Sequence, residues 1–338
     1  MEKRRSQQSR CFNGKPLVHW LRRLDVAASE HDRKLAEAVV SEVGADAVPE
    51  LTGHIQLGGR AAQRAAAAFV ILGERGAAAI PMLAASPGPE PTFAAHALAG
   101  IGRPAVESLI AYLTHPQALV RSAGAEGVST LAREGLLSGE QRNRSVAVLV
   151  ENARDEHPQV CARSVEALGC FRESAEQALP VVTEALERED YLAQCAALQA
   201  LSCFSPLAVP LLQKVTERLA SKDSAVRVYC VRAICRTPSR VAFETLLDLA
   251  SDRDVSARGS AIEGLGNYPQ WADEAVPLLV ERLRCGESAS DRWCALFALG
   301  NLGPLSRNAL PTLQGFLDRP NEVGGLKNLQ TAIHRIAN

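Results

Sequence analysis

Residues 290–303 read SDRWCALFALGNLG, and variants of that stretch stand upstream as VSARGSAIEGLGNY (255–268) and VCARSVEALGCF (160–171). Aligned on the apolar residue before the first glycine of LGNLG, the series is Val40, Phe69, Leu98, Val128, Leu168, Leu201, Ile234, Leu265 and Leu299. The steps between these positions are 29, 29, 30, 40, 33, 33, 31 and 34 residues. A second apolar residue follows three places on in most copies: Val43, Leu72, Ile101, Leu131, Phe171, Phe204, Tyr268 and Leu302. Residues three apart share one face of a helix, so each copy reads as an amphipathic helix. A recurring helix of this kind cannot bury its apolar face alone; it must stack on its own copies.

Two further signatures keep the same register. Arginine recurs seven residues before the anchor, as Arg33, Arg121, Arg227, Arg258 and Arg292. An aspartate often stands close by, as in DSAVR (223–227), DVSAR (254–258) and Asp291–Arg292. After the anchor comes AVPEL (47–51), AIPML (79–83), ALPVV (178–182), AVPLL (208–212), AVPLL (275–279) or ALPTL (309–313). Proline is tolerated in the first turn of a helix, where its missing N–H costs nothing. Each unit therefore reads as helix A, a glycine-marked turn, and a proline-led helix B. The arginine and aspartate are expected to link successive repeats as a ladder, with solvated surface charge as the alternative. Repeats two and three carry Ala62 and Pro91 in place of the arginine, repeat seven has Glu244 in place of the proline, and an insertion at 131–145 lengthens a loop or helix.

The order D-x-x-V-R, an alanine-rich stretch ending LGxxG, then A-V-P-x-L resembles the HEAT-repeat family. It looks most like the short bacterial variety similar to phycobilin-lyase HEAT-like repeats. The resemblance covers about residues 28–318. It implies an all-α fold, a right-handed α-α superhelix (α-solenoid) of about nine helical hairpins with helical caps. The expected repeats are 28–58, 59–88, 89–115, 116–157, 158–189, 190–222, 223–252, 253–286 and 287–318, within one solenoid spanning 15–338. Residues 16–25 and 324–338 are expected to cap the two ends, and 1–14 to be a disordered basic tail carrying Lys3, Arg4, Arg5 and Arg10.

Composition supports this reading. Hydrophobic residues make up 47% of the 338-residue chain, yet aromatics are only 4%, so the apolar mass is alanine, leucine and valine. Alanine and leucine are the best apolar helix formers, and small side chains let helices approach closely. Helix A is alanine-rich because it is sandwiched between its neighbours. The nine cysteines are an odd number with no CxxC pair, which fits free buried thiols in a reducing, cytoplasmic setting. No membrane span is expected.

No chemistry-bearing motif appears. The seven histidines are scattered, with no HExxH and no His-Glu dipeptide. Phosphate loops and dinucleotide fingerprints are absent, and Cys230 and Cys235 do not share a helical face. No catalytic residue, cofactor or metal is expected. The leading expectation is a non-catalytic scaffold or adaptor that binds a protein partner along a concave row of helix B. That row comprises Glu50, His54, Tyr112, Glu184, Lys214, Glu217, Asp248, Leu278, Glu281, Arg282 and Phe316. It leans acidic and would suit a basic segment; an ordinary solvated helix face is the alternative. Trp293 is a further exposed aromatic, either at an interface or packed on a loop, while Trp20 would join the cap and Trp271 cover a turn. The resemblance also allows an accessory lyase or chaperone-like factor. Nucleic-acid binding ranks last, because a net charge of −1 and an acidic row do not suit phosphates.

Overall fold

In a computed structural model of the chain, the described residues are 11, 12, 14–25, 29–205, 207–251, 255–286 and 288–338. Most of the expected tail, with Lys3, Arg4, Arg5 and Arg10, lies outside them, as does Asp254 of the DVSAR motif. Among the described residues the regular structure is helical, apart from a two-residue antiparallel pairing of Cys11–Phe12 with Lys15–Pro16.

The chain divides into two compact units, Met1–Ser174 and Ala175–Asn338. The first holds α1 (Leu17–Leu21), α2 (Glu30–Val43), α3 (Val48–Leu57), α4 (Gly59–Leu72), α5 (Ile80–Ala85), α6 (Pro91–Ile101), α7 (Val106–Tyr112), α8 (Ala118–Arg133), α9 (Gly139–Asn152) and α10 (Pro158–Leu168). The second holds α11 (Ala175–Glu187), α12 (Tyr191–Cys203), α13 (Leu212–Glu217), α14 (Ser224–Cys235), α15 (Arg240–Leu249), α16 (Val255–Leu265), α17 (Ala272–Cys285), α18 (Ala289–Leu302), α19 (Leu310–Gln314) and α20 (Leu326–Ala337).

Within each unit the helices form two layers. The even-numbered, alanine-rich helices pack directly on one another: α4 on α6, α6 on α8 and α8 on α10 in the first unit, and α12 on α14, α14 on α16, α16 on α18 and α18 on α20 in the second. All nine anchors, from Val40 to Leu299, are 0% exposed, as the repeat register requires. Fully burying one such side chain stabilises by about 1.5–3 kcal/mol. Small residues set the spacing. A Cβ on Gly100 of α6 would lie 2.7 Å from Val70 Cγ2 and 2.8 Å from Val70 Cα of α4. A Cβ on Gly266 would lie 2.8 Å from Ala298 Cα.

The other layer holds the helices that proline introduces in most repeats. Each of these helices packs chiefly on the alanine-rich helix that follows it: α3 on α4, α7 on α8, α9 on α10, α11 on α12, α15 on α16 and α17 on α18. The hairpin is thus proline-led helix first and alanine-rich helix second, and the glycine-marked connection leads on to the next repeat. The recurring arginine explains the choice. Arg121 Nη1 donates to the His115 carbonyl oxygen at 2.9 Å, Arg227 Nη1 to that of Ser221 at 2.9 Å, and Arg292 Nη1 to that of Gly286 at 2.8 Å. Each guanidinium so satisfies a carbonyl in the turn that ends the preceding helix, where helical partners run out. The division at residues 174 and 175 falls between α10 and α11.

The arginine also reaches forward in part. Arg121 Nη2 meets Asp155 Oδ2 at 2.7 Å, and Arg258 Nη2 meets Asp291 Oδ2 at 2.9 Å with side chains only 4% and 1% exposed. Arg33 departs from the ladder, pairing with Glu37 of its own helix. Repeat two is not without an arginine link: Arg64 Nε donates to Asp25 Oδ1 at 2.7 Å, which holds the Asp25 carboxyl below the usual carboxylate range. Proline position varies too. Pro49, Pro81 and Pro311 sit in first turns, but Pro180 and Pro277 lie inside α11 and α17, which begin earlier, at Ala175 and Ala272.

The insertion begins in the last turn of α8, a helix of 16 residues, and contains the start of α9, set by a Ser138–Gln141 capping box. Leu17, Trp20 and Leu21 of α1 are buried at one end of the first unit. At the end of the second unit, α20 lays Leu329, Ala332 and Ile336 inward, and the helix packs on α18. The run Gly59–Ala85 is long and apolar enough to cross a membrane by length and composition. It breaks at Gly73, where φ is 54°, into α4 and α5, and α4 buries Ala62, Ala65, Phe69 and Leu72 within the unit.

Candidate interaction surface

The row expected to bind a partner falls on the proline layer, and its members differ in what they offer. Tyr112 and Phe316 are corrections: both are buried, at 2% and 5% exposure. The Tyr112 hydroxyl donates to the Leu83 carbonyl oxygen at 2.5 Å, tying α7 to α5, and burial pushes its pKa up. Phe316 lies under the Arg319 guanidinium, 5.0 Å away. An apolar ring at the helix spacing finds the core before it finds solvent. Glu50 and His54 on α3 are half-buried. Glu184, Glu217, Asp248 and Glu281 are exposed, on α11, α13, α15 and α17. Lys214 is exposed and pairs with Glu187, while Leu278 is half-buried. Arg282 is half-buried and donates from Nη2 to Ser251 Oγ at 2.9 Å. These residues come one to three from a helix, on a layer whose successive members touch little.

A groove opens instead on the alanine layer of the second unit, with a volume of about 560 Å³. Four consecutive alanine-rich helices or the turns just after them line it, and the lining follows the repeat. Two residues before the anchors stand Gln199, Arg232, Glu263 and Phe297; two residues after them stand Cys203, Arg236, Asn267 and Asn301. Positions four apart on a helix lie one above the other, so these form two parallel rows, polar but for Phe297 and Cys203. Tyr229 adds an aromatic face beneath Arg232, whose guanidinium lies 5.6 Å from the ring centroid. The proline-led helices, which carry the expected row, hold no sign of these residues. The signal in the sequence is the polar residue set into an otherwise Ala/Leu helix at fixed offsets from the anchor.

The groove has little to do chemistry with. Burial, with the nearby Glu263 charge, pushes the Cys235 thiol up to about 12, so it stays protonated at neutral pH. Among the described residues no group of three or more His, Cys, Asp or Glu is placed to hold a metal ion.

Phe297 belongs also to a second, smaller cleft of about 240 Å³ between α18 and α20, lined by Trp293, Leu296, Phe297, Gly300, Asn328, Thr331, Ala332 and Arg335. Trp293 and Phe297 stack with centroids 5.8 Å apart and planes 22° apart, and they remain 38% and 39% exposed. One edge of Trp293 rests on Gly324, where a Cβ would fall 2.0 Å from Cδ1. Trp293 therefore packs on a turn and also keeps an open face. The other two tryptophans have structural settings. Trp20 is buried, with Arg23 over its ring, and Trp271 stacks on Tyr268 and Phe243 beside Arg240.

Residues 212–300 match the family model described as HEAT repeats, and the helices there include α14, α16 and α18 that line the groove. Among solved structures, YibA from Escherichia coli superposes with a TM-score of 0.54 at 15% identity, covering 93% of this chain and 99% of that one. The karyopherin Kap121p, in crystals with Nup53p and with the extreme C-terminus of the protein phosphatase Cdc14p, gives a TM-score of 0.50 at 12% identity. That match spans 96% of this chain and 42% of Kap121p. No curated protein matches the sequence. The chain is thus a helical-repeat protein of the α-solenoid class. The HEAT repeats themselves are identified over 212–300, and elsewhere the likeness is one of fold.

Proposed function

We propose that the protein is a non-catalytic scaffold that holds a protein partner on the alanine layer of its second unit. The observation that carries this is the groove itself: side chains from four consecutive repeats, in two rows, converge on one continuous depression. Stacked repeats build such extended surfaces without any catalytic constellation. The alanine-rich helices pack directly on one another, so their side chains can meet across repeats, which the proline-led helices, touching chiefly one partner, allow less. This reading moves the binding site off the acidic row of the proline layer. That karyopherin Kap121p is bound to Nup53p in one crystal and to the extreme C-terminus of Cdc14p in another supports the general reading.

The test is affinity capture from native lysate with three forms of the full chain. One is wild type. One fills the groove, Ser202→Trp with Asn301→Trp. The third reverses the proline layer, with Glu184, Glu217, Asp248 and Glu281 each changed to Lys. A protein held by the first and third and lost by the second supports the reading. Loss only in the third would return the site to the acidic row. Capture of no protein by wild type would count against a scaffold.

A further inference from the structure

The charges around the groove are one-sided in a way the whole chain is not. Arg232 and Arg236 stand on its rim and Arg335 on that of the adjoining cleft; all three are exposed. Among the described residues none of the three is engaged by a protein carboxylate. Glu263 is the one acid among the described residues lining either depression. Two other exposed arginines of the unit do have acids: Arg240 Nη1 meets Glu274 Oε1 at 2.6 Å and Arg319 Nη1 meets Glu322 Oε2 at 3.6 Å. Beside the unmatched cations lies an apolar slot between Trp293, Leu296, Phe297 and Ala332, open to solvent on the aromatic side. Exposed stacked aromatics of this kind are what partners anchor on.

We propose that this surface receives an extended protein segment with an aliphatic or aromatic anchor for the Trp293–Phe297 cleft and acidic side chains for Arg232 and Arg236. The inference rests on the scaffold reading above and names its partner by chemistry. It reverses the charge expected of the partner from the sequence, which followed the acidic proline layer. The geometry sets a spacing. Stacked helices lie roughly 8–10 Å apart, so α14 and α18, with α16 between them, are about 18 Å apart. An extended chain covers roughly 3.3 Å per residue, which separates anchor and acids by about five or six residues. Arg335 favours an additional acid next to the anchor. A nucleic-acid strand suits the site less well: Glu263 lies among the arginines, and the cleft walls are apolar.

The probe is a library of random twelve-residue peptides displayed on phage and selected on the full chain. The winning peptide is then made with a fluorescent label and titrated by anisotropy. Selection of an apolar residue with acids about five or six places away is the expected result. Arg232→Glu with Arg236→Glu should weaken that peptide about tenfold or more, and Phe297→Ser several-fold, each in a protein that melts as wild type does. A basic consensus, no enriched peptide, affinity unchanged in the double arginine variant, or equally tight binding of single-stranded oligothymidine would each overturn the proposal. If lysate capture through the groove succeeds while the library yields no acidic and apolar segment, the scaffold reading stands and this one falls.

Discussion

Gly53 and Gly100 both sit inside helices, the first in α3 of the proline layer and the second in α6 of the alanine layer. Around Gly53 a Cβ would meet nothing within 4 Å, whereas at Gly100 it would enter the backbone of α4. The two positions stand for two kinds of layer. Alanine-rich helices touch their neighbours on both sides, so their residues are chosen by the space between backbones. Proline-led helices touch chiefly one partner, and the rest of their surface answers to solvent. Tolerance to change follows from this: the solvated layer can vary its charges, while the stacked layer can vary only the two rows that open into the groove.

Paired substitutions test that contrast, beginning where it is widest. Leu265→Asp places a charge at a site with 0% exposure between stacked helices and should cost more than about 4 kcal/mol, seen as loss of the cooperative thermal transition. Val241→Asp, at 59% exposure on α15, should stay within about 0.5 kcal/mol of wild type. Equal melting of the two would show that the layers do not differ in burial. Ion pairs come next. Asp291→Ala removes the carboxylate from a guanidinium that is 4% exposed and should cost about 3 kcal/mol by urea denaturation. Glu274→Ala breaks the exposed pair with Arg240 and should cost less than about 1 kcal/mol. Glycines give the smallest and most discriminating pair. Gly53→Ala should stabilise by roughly 0.5–1 kcal/mol through helix propensity alone. Gly100→Ala gains the same propensity but forces α4 and α6 apart, for a net loss of about 1 kcal/mol. A stabilised Gly100→Ala would mean that the helices are less closely stacked than their backbones indicate.

Much of the fold was legible from residue spacing. The anchors and the second apolar residues lie where their periodicity places them, because a residue three or four positions on must share its face. Trp20, Leu17 and Leu21 at one end and Leu329 and Ile336 at the other needed only amphipathic spacing to be read. The candidate site was far less legible. Tyr112 and Phe316 carry no local mark that separates a core ring from a surface ring; the neighbouring repeat decides. Arg64 stands two residues after Ala62, off the arginine register, and only the approach of Asp25 from outside the repeat makes it a link.

Residue spacing alone dictates an all-helical chain of stacked repeats, and which residue of each repeat lies deepest. It could not determine where a repeat begins. A periodic pattern has no intrinsic start, so helix, glycine turn and helix reads equally well in either phase. Tertiary structure decided it, because the arginine closes one connection against the carbonyls of the preceding helix and leaves the other to step onward. The same decision singles out the layer on which a groove can form. A row of acids on the proline layer and a row of mixed polar residues on the alanine layer look alike as strings. Only close stacking of backbones brings side chains from separate repeats together into one groove.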